Sequence, residues 1–306
     1  MSIIALTNHK GGTGKTTTAV NLSAGLCRLK ELRRRGDAIP NKHIKILLVD
    51  MDPQANASMH LIPKAMQQSV DKLPNIVDVF DGKSLLSCVI PTDYDNLSLI
   101  PASIDMFNLE PKIINSASAV DGLRAVFTKE VRDEYKIIII DCPPNLGTFM
   151  MNSLVAADYY IIPIESESIY ALHGMKALYT KIGEIRRIVN PGLKLLGCLI
   201  TKYDGRTTAA KIVLDMVNKH FEENVLKTII RKNTDLNKAA ILKKPIFEVN
   251  QMTYGAKDYF DLSEEVAGKI GFDFKKNVRE PAPNSVASGK ARTENHGNIK
   301  KVKKNV

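Results

Sequence analysis

The stretch NHKGGTGKTTT, residues 8–18, decides the fold of this chain. An apolar run precedes it, as expected of a strand, and a helical pattern follows it. Its three glycines allow the backbone to curl around an anion, and the positive end of the following helix dipole adds to the attraction. Lys15 would reach the β- and γ-phosphates of a nucleotide, and the Thr16 hydroxyl would coordinate Mg²⁺. The residues expected to bind nucleotide here are Lys10, Gly11, Gly12, Thr13, Gly14, Lys15, Thr16 and Thr17.

One position departs from the strict phosphate-loop pattern, GxxxxGK[ST]. The pattern begins with a glycine, but this chain has His9 there and instead carries Lys10 ahead of a double glycine. We interpret His9 as a loop side chain without chemistry. The alternative is a glycine-rich turn that binds nothing. A strand before the loop, GKT within it and a helix after it favour the phosphate loop.

Apolar runs alternate with helical patterns along most of the chain. The run KIIIID at 136–141 lacks polar alternation, which suits a strand buried on both faces of a parallel sheet. We therefore predict a doubly wound α/β fold, with a mostly parallel sheet and helices on both faces. The predicted strands are Ile3–Thr7, Lys45–Val49, Leu97–Pro101, Ile137–Ile140, Tyr159–Pro163, Leu195–Thr201 and Val225–Ile230. The predicted helices are Thr17–Arg35, Gly122–Glu134, Thr148–Ala157, Ile169–Val189, Thr208–Phe221 and Ala256–Ile270.

Composition narrows the class of protein. A chain of 306 residues, 44% of them hydrophobic, can bury a sizeable core. No apolar run approaches the ~20 residues of a membrane helix, and no signal peptide is evident, so we expect a cytoplasmic protein. The four cysteines lack CxxC spacing, which predicts buried, reduced thiols. A net charge of +10 favours a polyanionic partner, either nucleic acid or an acidic membrane surface.

Two segments depart from the alternating pattern. Residues Arg33–His43 combine charge, glycine and proline and predict a surface loop. From Lys275 onward the chain carries nine Lys or Arg against two Glu, with few large apolar residues. Such a segment cannot bury enough surface to offset the entropy of ordering. We therefore predict one nucleotide-binding domain at 1–272 and a disordered basic tail at 273–306.

Acidic residues end two of the predicted strands. Asp50 and Asp52 follow ILLV, and Asp141 follows the four isoleucines. The carboxyl ends of parallel strands are where α/β sheets bind ligands. A carboxylate beside a phosphate loop can hold Mg²⁺ or one of its waters. The alternative for Asp50 and Asp52 is that they only cap the loop after the strand.

These motifs carry a family resemblance over residues 2 to about 270. KGGTGKTT resembles the deviant Walker A motif of the ParA/MinD ATPases, DMDPQAN resembles the ParA motif DxDPQGN, and IIIIDCPP resembles Walker B. The resemblance implies ATP and Mg²⁺ as ligands, with Thr16, Asp50 and Asp141 around the metal. It implies catalytic roles for Asp52, which would position the attacking water, and for Lys10 and Lys15. It also implies that Lys10 contacts the partner subunit's ATP, so that ATP drives homodimer formation.

Three later segments extend the resemblance towards the base and towards DNA. PIESESIYALHGM, ITKYDGRT and TIIRKNTDLNKA are similar to conserved ParA segments. In the last of them, Asn233 matches an adenine-contacting asparagine, and Arg231 stands where a proline lends its backbone to the base. Asp235 replaces an arginine, which weakens the expected DNA surface. The candidate contacts to DNA phosphates are Lys202, Arg206, Lys211 and Lys232; ordinary solvated charge is the alternative for each.

The resemblance implies a partition ATPase that positions a plasmid or chromosome region. Its ATP-bound dimer would bind nucleoid DNA, and a ParB-like partner would stimulate hydrolysis. The chain begins at its first strand, so we expect no operator-reading extension and non-specific, salt-sensitive DNA binding. A MinD-like membrane-cycling ATPase is the alternative, although the tail offers few apolar residues for insertion and no stable membrane association is expected. A metal-cluster enzyme of the nitrogenase-iron-protein kind would need a cysteine pair such as Cys88 and Cys142.

Overall fold

Residues 1–29, 31–34, 37–40, 44–116, 118–167 and 175–274 are described by a computed structural model. Within them, short strands and helices alternate along the chain. The strands are β1 (Ser2–Leu6), β2 (Glu31–Arg34), β3 (Asp37–Pro40), β4 (Ile46–Asp50), β5 (Ile90–Pro91), β6 (Leu97–Ile100), β7 (Ile137–Asp141), β8 (Tyr159–Glu165), β9 (Lys194–Thr201) and β10 (Asp273–Phe274). The helices are α1 (Lys15–Cys27), α2 (Asn56–Leu61), α3 (Ile76–Phe80), α4 (Met106–Ile114), α5 (Gly122–Val126), α6 (Lys129–Glu134), α7 (Thr148–Ala156), α8 (Met175–Ile188), α9 (Thr208–Phe221), α10 (Thr234–Ile241), α11 (Ile246–Val249) and α12 (Tyr254–Lys269).

The main sheet has the strand order β5-β6-β4-β7-β1-β8-β9, and every pairing except β5–β6 is parallel. Side chains of the central strands are buried on both faces because helices cover both faces. Ile138 and Ile140 join one core cluster, whereas Ile137 and Ile139 join the other. The predicted doubly wound, mostly parallel α/β fold is confirmed.

The register of the central strands gathers their acidic ends at one edge of the sheet. Leu6 of β1 pairs with Asp141 of β7, and Asp141 pairs on its other side with Asp50 of β4. Because these strands are parallel, the loop that follows β1 leaves the sheet beside both carboxylates. The fold therefore brings the phosphate-loop motif and the two acidic strand ends together, although they are far apart in sequence.

The region after α1 differs from the prediction. The helix predicted to reach Arg35 ends at Cys27, and the predicted surface loop Arg33–His43 contains most of an antiparallel hairpin, β2–β3. Strand β10 pairs with β2, so Asp273–Phe274 belong to a small sheet and not to the predicted tail. Two residues including a glycine separate β2 from β3, a spacing typical of hairpins that the high charge of the segment obscured. Residues 275–306, the rest of the predicted tail, lie outside the described residues.

Three further elements depart from their predicted bounds. The predicted helix Gly122–Glu134 is two short helices, α5 and α6, because Phe127 between them leaves helical geometry and is buried in the core. The predicted strand Val225–Ile230 is not assigned as a strand. One isolated bridge joins Val225 to Cys198 of β9, and the backbone N–H groups of Leu226 and Ile230 donate hydrogen bonds to β9. The first part of the predicted helix Ile169–Val189 lies outside the described residues, and α8 covers the remainder.

Candidate functional site

The phosphate loop is held in a preformed shape between β1 and α1. Gly12 and Gly14 have φ angles of 75° and 86°, in the left-handed region that glycine tolerates. The Thr201 hydroxyl donates to the carbonyl oxygen of Thr13 at 2.9 Å, which ties the loop to the end of β9. The Asn8 side chain donates to the carbonyl oxygen of Pro163 at 2.8 Å, which ties the loop to β8. Two neighbouring strands thus brace the loop whose glycines the sequence singled out.

The two lysines of the loop occupy different environments. Lys15 is 6% exposed, and its ammonium donates to the carbonyl oxygen of Lys10 at 3.0 Å. Burial lowers the pKa of Lys15, while nearby Asp141 counteracts the shift. The Lys10 side chain is 36% exposed, and its ammonium lies 3.9 Å from a carboxylate oxygen of Glu165. Lys15 therefore faces the interior of the loop, and Lys10 has a more exposed side chain beside it.

Asp50, the carboxylate at the end of β4, is fully buried and saturated with hydrogen bonds. One oxygen accepts from the Asp52 backbone N–H at 3.1 Å. The other accepts from the Ser58 N–H at 2.8 Å and from the Ser58 hydroxyl at 2.7 Å. Burial raises the pKa of Asp50 to about 6, against the opposing effect of the Ser58 bonds. Asp50 thus fixes α2 and the backbone of Asp52 relative to the sheet. Its place in the metal shell stays a prediction.

Asp52 lies in the tight turn after β4 and borders the cavity beside the phosphate loop. Its side chain accepts from the Gln54 N–H at 3.0 Å, and its carbonyl oxygen accepts from the Ala55 N–H at 2.8 Å. Ala55 has a φ of 52°, a left-handed conformation that explains why glycine is usual at this position of the motif. The turn holds the Asp52 carboxylate, which is 7% exposed, at the wall of the cavity.

Asp141, at the end of β7, is a buried carboxylate without a hydrogen-bond partner among the described residues. Burial, and secondly the charge of Asp50, raise its pKa well above the ordinary value, while Thr16 and Lys15 oppose the shift. An unpaired buried carboxylate is costly unless a cation compensates it. Mg²⁺ takes oxygen ligands, so Asp141 beside the Thr16 hydroxyl fits the predicted magnesium site. Mg²⁺ at this place would neutralise phosphate charge.

A cavity of about 590 Å³ lies in front of these groups. The phosphate loop and Asp52 form part of its wall, and α2 and α10 form another part. Its charged lining residues are three lysines and one carboxylate, which suits an anionic ligand. The lining includes Gly11, Gly12, Gly14, Lys15, Thr16, Thr17, Asp52, Lys202 and Lys243.

The predicted adenine contacts, Arg231 and Asn233, line a second cavity of about 730 Å³ that shares no lining residue with the first. The Asn233 side chain accepts from the Asp235 N–H at 2.8 Å and so caps α10. The guanidinium of Arg231 pairs with the buried carboxylate of Asp258 and lies 4.0 Å from the centroid of the Tyr254 ring. Both predicted residues thus make intramolecular contacts at this second cavity.

Three of the four predicted DNA-contacting cations are paired with carboxylates. Lys202 pairs with Glu165 at 2.8 Å, Lys232 with Glu167 at 2.5 Å, and Arg206 with Asp204 at 2.7 Å. Lys211 is exposed on α9, away from both cavities. Lys202 is a lining residue of the first cavity, whereas Arg206 and Lys232 line the second.

Three residues of the site, Glu165, His60 and Lys243, were not among the site residues predicted from the sequence. Glu165 bridges Lys10 and Lys202, and its nearness to them depends on the pairing of β8 with β9. His60 and Lys243 reach the first cavity from α2 and from the end of α10. Glu165 belongs to the sequence PIESES at the end of β8, which the sequence analysis quoted as part of a conserved segment without giving its acidic side chains a role. These contacts arise from tertiary packing and not from local patterns.

Three further observations concern the part of the chain that is described. Within that part, no helix has the length and apolarity required to traverse a bilayer. The same residues contain no cluster of three or more His, Cys, Asp or Glu suited to a metal ion. Cys88 and Cys142 are both buried and free, and burial raises the pKa of each thiol, to about 12 for Cys142.

The fold and this cavity define a nucleotide-binding α/β protein of the P-loop class. The model of the AAA domain family matches residues 1–195. The chain is 38% identical over 268 residues to the sporulation initiation inhibitor protein Soj of Bacillus subtilis, covering 87% of this chain and 98% of that protein. It is 35% identical to the chromosome-partitioning ATPase Soj of Thermus thermophilus, covering 87% and 96%. The chain belongs to the Soj/ParA family of partitioning ATPases, which confirms the predicted family and ATPase class.

Solved structures share this fold. Cobyrinic acid a,c-diamide synthase from Mycobacterium smegmatis, with bound ADP and magnesium, matches with a TM-score of 0.68 and 28% identity, over 86% of this chain and 92% of that one. The same enzyme has been solved with an ATP analogue and magnesium. McdA of Cyanothece shares the fold, with a TM-score of 0.73 at 19% identity over 89% and 100% of the two chains. The ligands of the synthase agree with the predicted ATP and Mg²⁺.

Proposed function

We propose that this chain is a DNA-partitioning ATPase that binds ATP and Mg²⁺ in the cavity beside its phosphate loop, dimerises around ATP and binds DNA non-specifically as the dimer. The observation that carries the proposal is Lys10. Its side chain is partly exposed directly beside the phosphate loop, whereas Lys15 is buried there. One buried and one exposed lysine suit a site in which one subunit binds the nucleotide and the other subunit completes its charge neutralisation.

Each residue of the site has a role that follows from its position. Lys15 and the loop backbone bind the phosphates, and Thr16 with Asp141 hold the metal ion. Asp52 is fixed by its own turn at the cavity wall, where its carboxylate orients the attacking water. Asp50 is a positioning residue, since its three hydrogen bonds hold Ser58 and the Asp52 backbone. Phosphoryl transfer depends mainly on positioning and charge stabilisation, so this set suffices for slow hydrolysis.

DNA binding rests on the excess of positive charge. The net charge is +10. Of the predicted DNA contacts, Lys202 and Arg206 lie between β9 and α9, Lys211 lies on α9, and Lys232 lies before α10. Backbone-directed cations give binding that falls steeply with salt and ignores sequence. We place the protein in the cytoplasm, on nucleoid DNA, with a ParB-like partner that stimulates hydrolysis and release.

The test is duplex DNA binding as a function of nucleotide. Full-length protein would be titrated onto random-sequence duplex with ATP, with ADP and without nucleotide, with Mg²⁺ present. We expect binding at least about tenfold tighter with ATP, because only the dimer doubles the number of phosphate contacts. Sedimentation in the same buffers should report a dimer with ATP and a monomer otherwise.

Lys10→Ala is the decisive variant for this proposal. It should still bind ATP but neither dimerise nor bind DNA tightly. Lys129→Ala provides the matched control, because Lys129 is exposed on α6, which precedes the amino end of β7 and so lies away from the phosphate loop. Equal DNA binding in all three nucleotide conditions, or a normal ATP dimer of Lys10→Ala, would contradict the proposal.

A further inference from the structure

Lys243 occupies a backbone conformation that lysine disfavours. It follows α10 with a φ of 53°, in the left-handed region. The Lys243 N–H donates to the carbonyl oxygen of Ala240 at 3.1 Å, and the Lys244 N–H donates to that of Ala239 at 3.0 Å. This pair of bonds is the Schellman ending of a helix, and its left-handed residue is usually glycine because glycine lacks the Cβ that clashes there. The chain therefore keeps a lysine where glycine would be more stable.

The Lys243 side chain contributes to the nucleotide cavity. It lines the 590 Å³ cavity together with Lys15, Lys202 and Asp52. Lys202 also has a left-handed φ, of 53°, so both lysines that adopt this conformation in the described residues border one cavity. Strained residues gather at functional sites when the strain places a side chain that the site needs.

The charge of Lys243 is not neutralised within the protein. Lys202 is paired with Glu165, but Lys243 forms no ion pair with any carboxylate in the described ranges. The residue is half-buried, and a ligand anion that reached its ammonium would not have to compete with a carboxylate of the described residues. Such a lysine is better suited to bind phosphate than one that is already paired.

The backbone on either side of Lys243 is anchored. The Lys244 carbonyl oxygen accepts from Nε2 of buried His60 at 2.8 Å, which connects it to α2. Burial lowers the pKa of His60, so its ring is neutral with the proton on Nε2. Two residues further, the Ile246 N–H donates to Oδ1 of Asn21 on α1 at 2.8 Å. Because α1 begins in the phosphate loop, these bonds hold Lys243 at a fixed place relative to it.

From these observations we infer that Lys243 is a further contact to the phosphate chain of the bound nucleotide, supplied from α10 instead of from the phosphate loop. The inference rests on the proposed nucleotide site and adds a binding residue to it. On this inference the strained conformation is retained because it places the Lys243 ammonium at a cavity that Lys15 and Lys202 also line. Stability and nucleotide affinity therefore oppose each other at this position.

The experiment measures ATP binding and thermal stability of the full chain, without DNA. A fluorescent ATP analogue with Mg²⁺ would be titrated into Lys243→Gln, Lys243→Arg and Lys243→Gly. Loss of one charge-assisted contact should raise the Kd of Lys243→Gln and Lys243→Gly about tenfold, with Lys243→Arg close to the parent protein. Affinity for AMP should change little. Lys243→Gly should also melt about 2 °C higher without nucleotide, because strain is relieved.

Lys238→Gln is the control, because Lys238 is exposed on the same helix and is not part of the cavity lining. Parent-like ATP affinity of Lys243→Gln would overturn the inference. A weaker Lys243→Gly beside a normal Lys243→Gln would overturn it as well, since backbone geometry and not charge would be responsible. Lys15→Ala tests the nucleotide site separately from the contact made by Lys243. If Lys15→Ala still binds ATP, the proposed nucleotide site is wrong. If it does not bind ATP, the site is supported, and the Lys243 variants then test the added contact alone.

Discussion

The cavity beside the phosphate loop and the cavity beside Arg231 differ in how their charged groups are compensated. In the first, Lys15 is buried and Lys243 has no carboxylate partner among the described residues, whereas Lys202 is paired with Glu165. Asp141, near Lys15 and Thr16 of the phosphate loop but not part of the cavity lining, is buried without a hydrogen-bond partner among the described residues. In the second, Arg231 is paired with Asp258, and Arg206 is paired with Asp204. The first cavity is therefore prepared for a ligand that supplies the missing charges.

This difference teaches where nucleotide can act as a switch. Charged groups that are buried without a partner raise the free energy of the empty site. Nucleotide and magnesium should therefore bind more tightly, because they compensate these charges. Groups that are already paired at the surface gain little from one new anion, because the existing pair must first open. ATP should thus order the first region strongly, and DNA should engage the second region through many weak contacts.

The largest expected effect concerns Asp52, at the wall of the first cavity. Asp52→Ala should bind ATP with nearly parental affinity but hydrolyse it about 100-fold more slowly, because the water is no longer oriented. The ATP dimer should then persist on DNA. Phosphate release and DNA dissociation, followed in the same sample, provide the measurement.

Asp71→Ala is a suitable control for Asp52→Ala, because Asp71 is exposed and does not line this cavity. Its hydrolysis rate should equal that of the parent protein. Normal turnover by Asp52→Ala would show that another group orients the water. The catalytic role assigned to the first cavity through Asp52 would then be wrong.

Part of the first region, the phosphate loop with the acidic strand ends beside it, could be predicted from the sequence. Gly14, Lys15, Asp50 and Asp141 each lie at the end or the beginning of a predicted element, and parallel strands bring such ends together. What the sequence did not reveal is how the two acidic strand ends differ. The Asp50 carboxylate accepts hydrogen bonds from Ser58, near the start of α2. The turn at Ala55 brings Ser58 to it. The left-handed backbone of Ala55 could not be predicted, because alanine does not favour that conformation.

A smaller effect should separate those two carboxylates. Asp50→Asn replaces an acceptor oxygen by an NH₂ group that faces a donor, so the free energy of unfolding of the nucleotide-free protein should fall by about 2–3 kcal/mol. Asp141→Asn removes a buried carboxylate that has no hydrogen-bond partner in the described residues, so stability should stay equal or rise. Urea unfolding at pH 7.5 measures both. Equal losses for the two variants would contradict the difference in compensation.

The same two carboxylates should make the free energy of unfolding depend on pH. The pKa of Asp50 is about 6 in the fold against an ordinary value of 3.8, so the folded state keeps a proton that the unfolded state releases. This contribution to stability is complete below pH 3.8 and is lost as the pH rises to about 6. Asp141, whose pKa burial also raises, contributes in the same direction. The fall in unfolding free energy over this range should be shallower in Asp141→Asn than in the parent protein.

The second region was predictable only in part. The sequence indicated the cations at Arg206, Arg231 and Lys232, but their partners come from other elements or from the local turn. Glu167 reaches Lys232 from just after β8, and Asp258 reaches Arg231 from α12. Sequence patterns report which residues are charged, and only the packing of the elements decides which charges meet.

The smallest expected effect tests whether those surface pairs restrain DNA binding. Arg206 is 89% exposed in its side chain and pairs with Asp204 through two of its nitrogens, and this contact holds the pKa of Asp204 well below its ordinary value. Asp204→Asn removes a negative charge and frees the guanidinium, so affinity for duplex DNA with ATP should rise two- to threefold. The slope of log affinity against log salt should steepen by on the order of one phosphate contact.

Asp215→Asn is the matched control, because it breaks the exposed Lys219 pair on α9. If Asp204→Asn bound DNA more weakly while Asp215→Asn did not, the carboxylate would be orienting Arg206 towards DNA, and pairing at this surface would assist binding instead of restraining it.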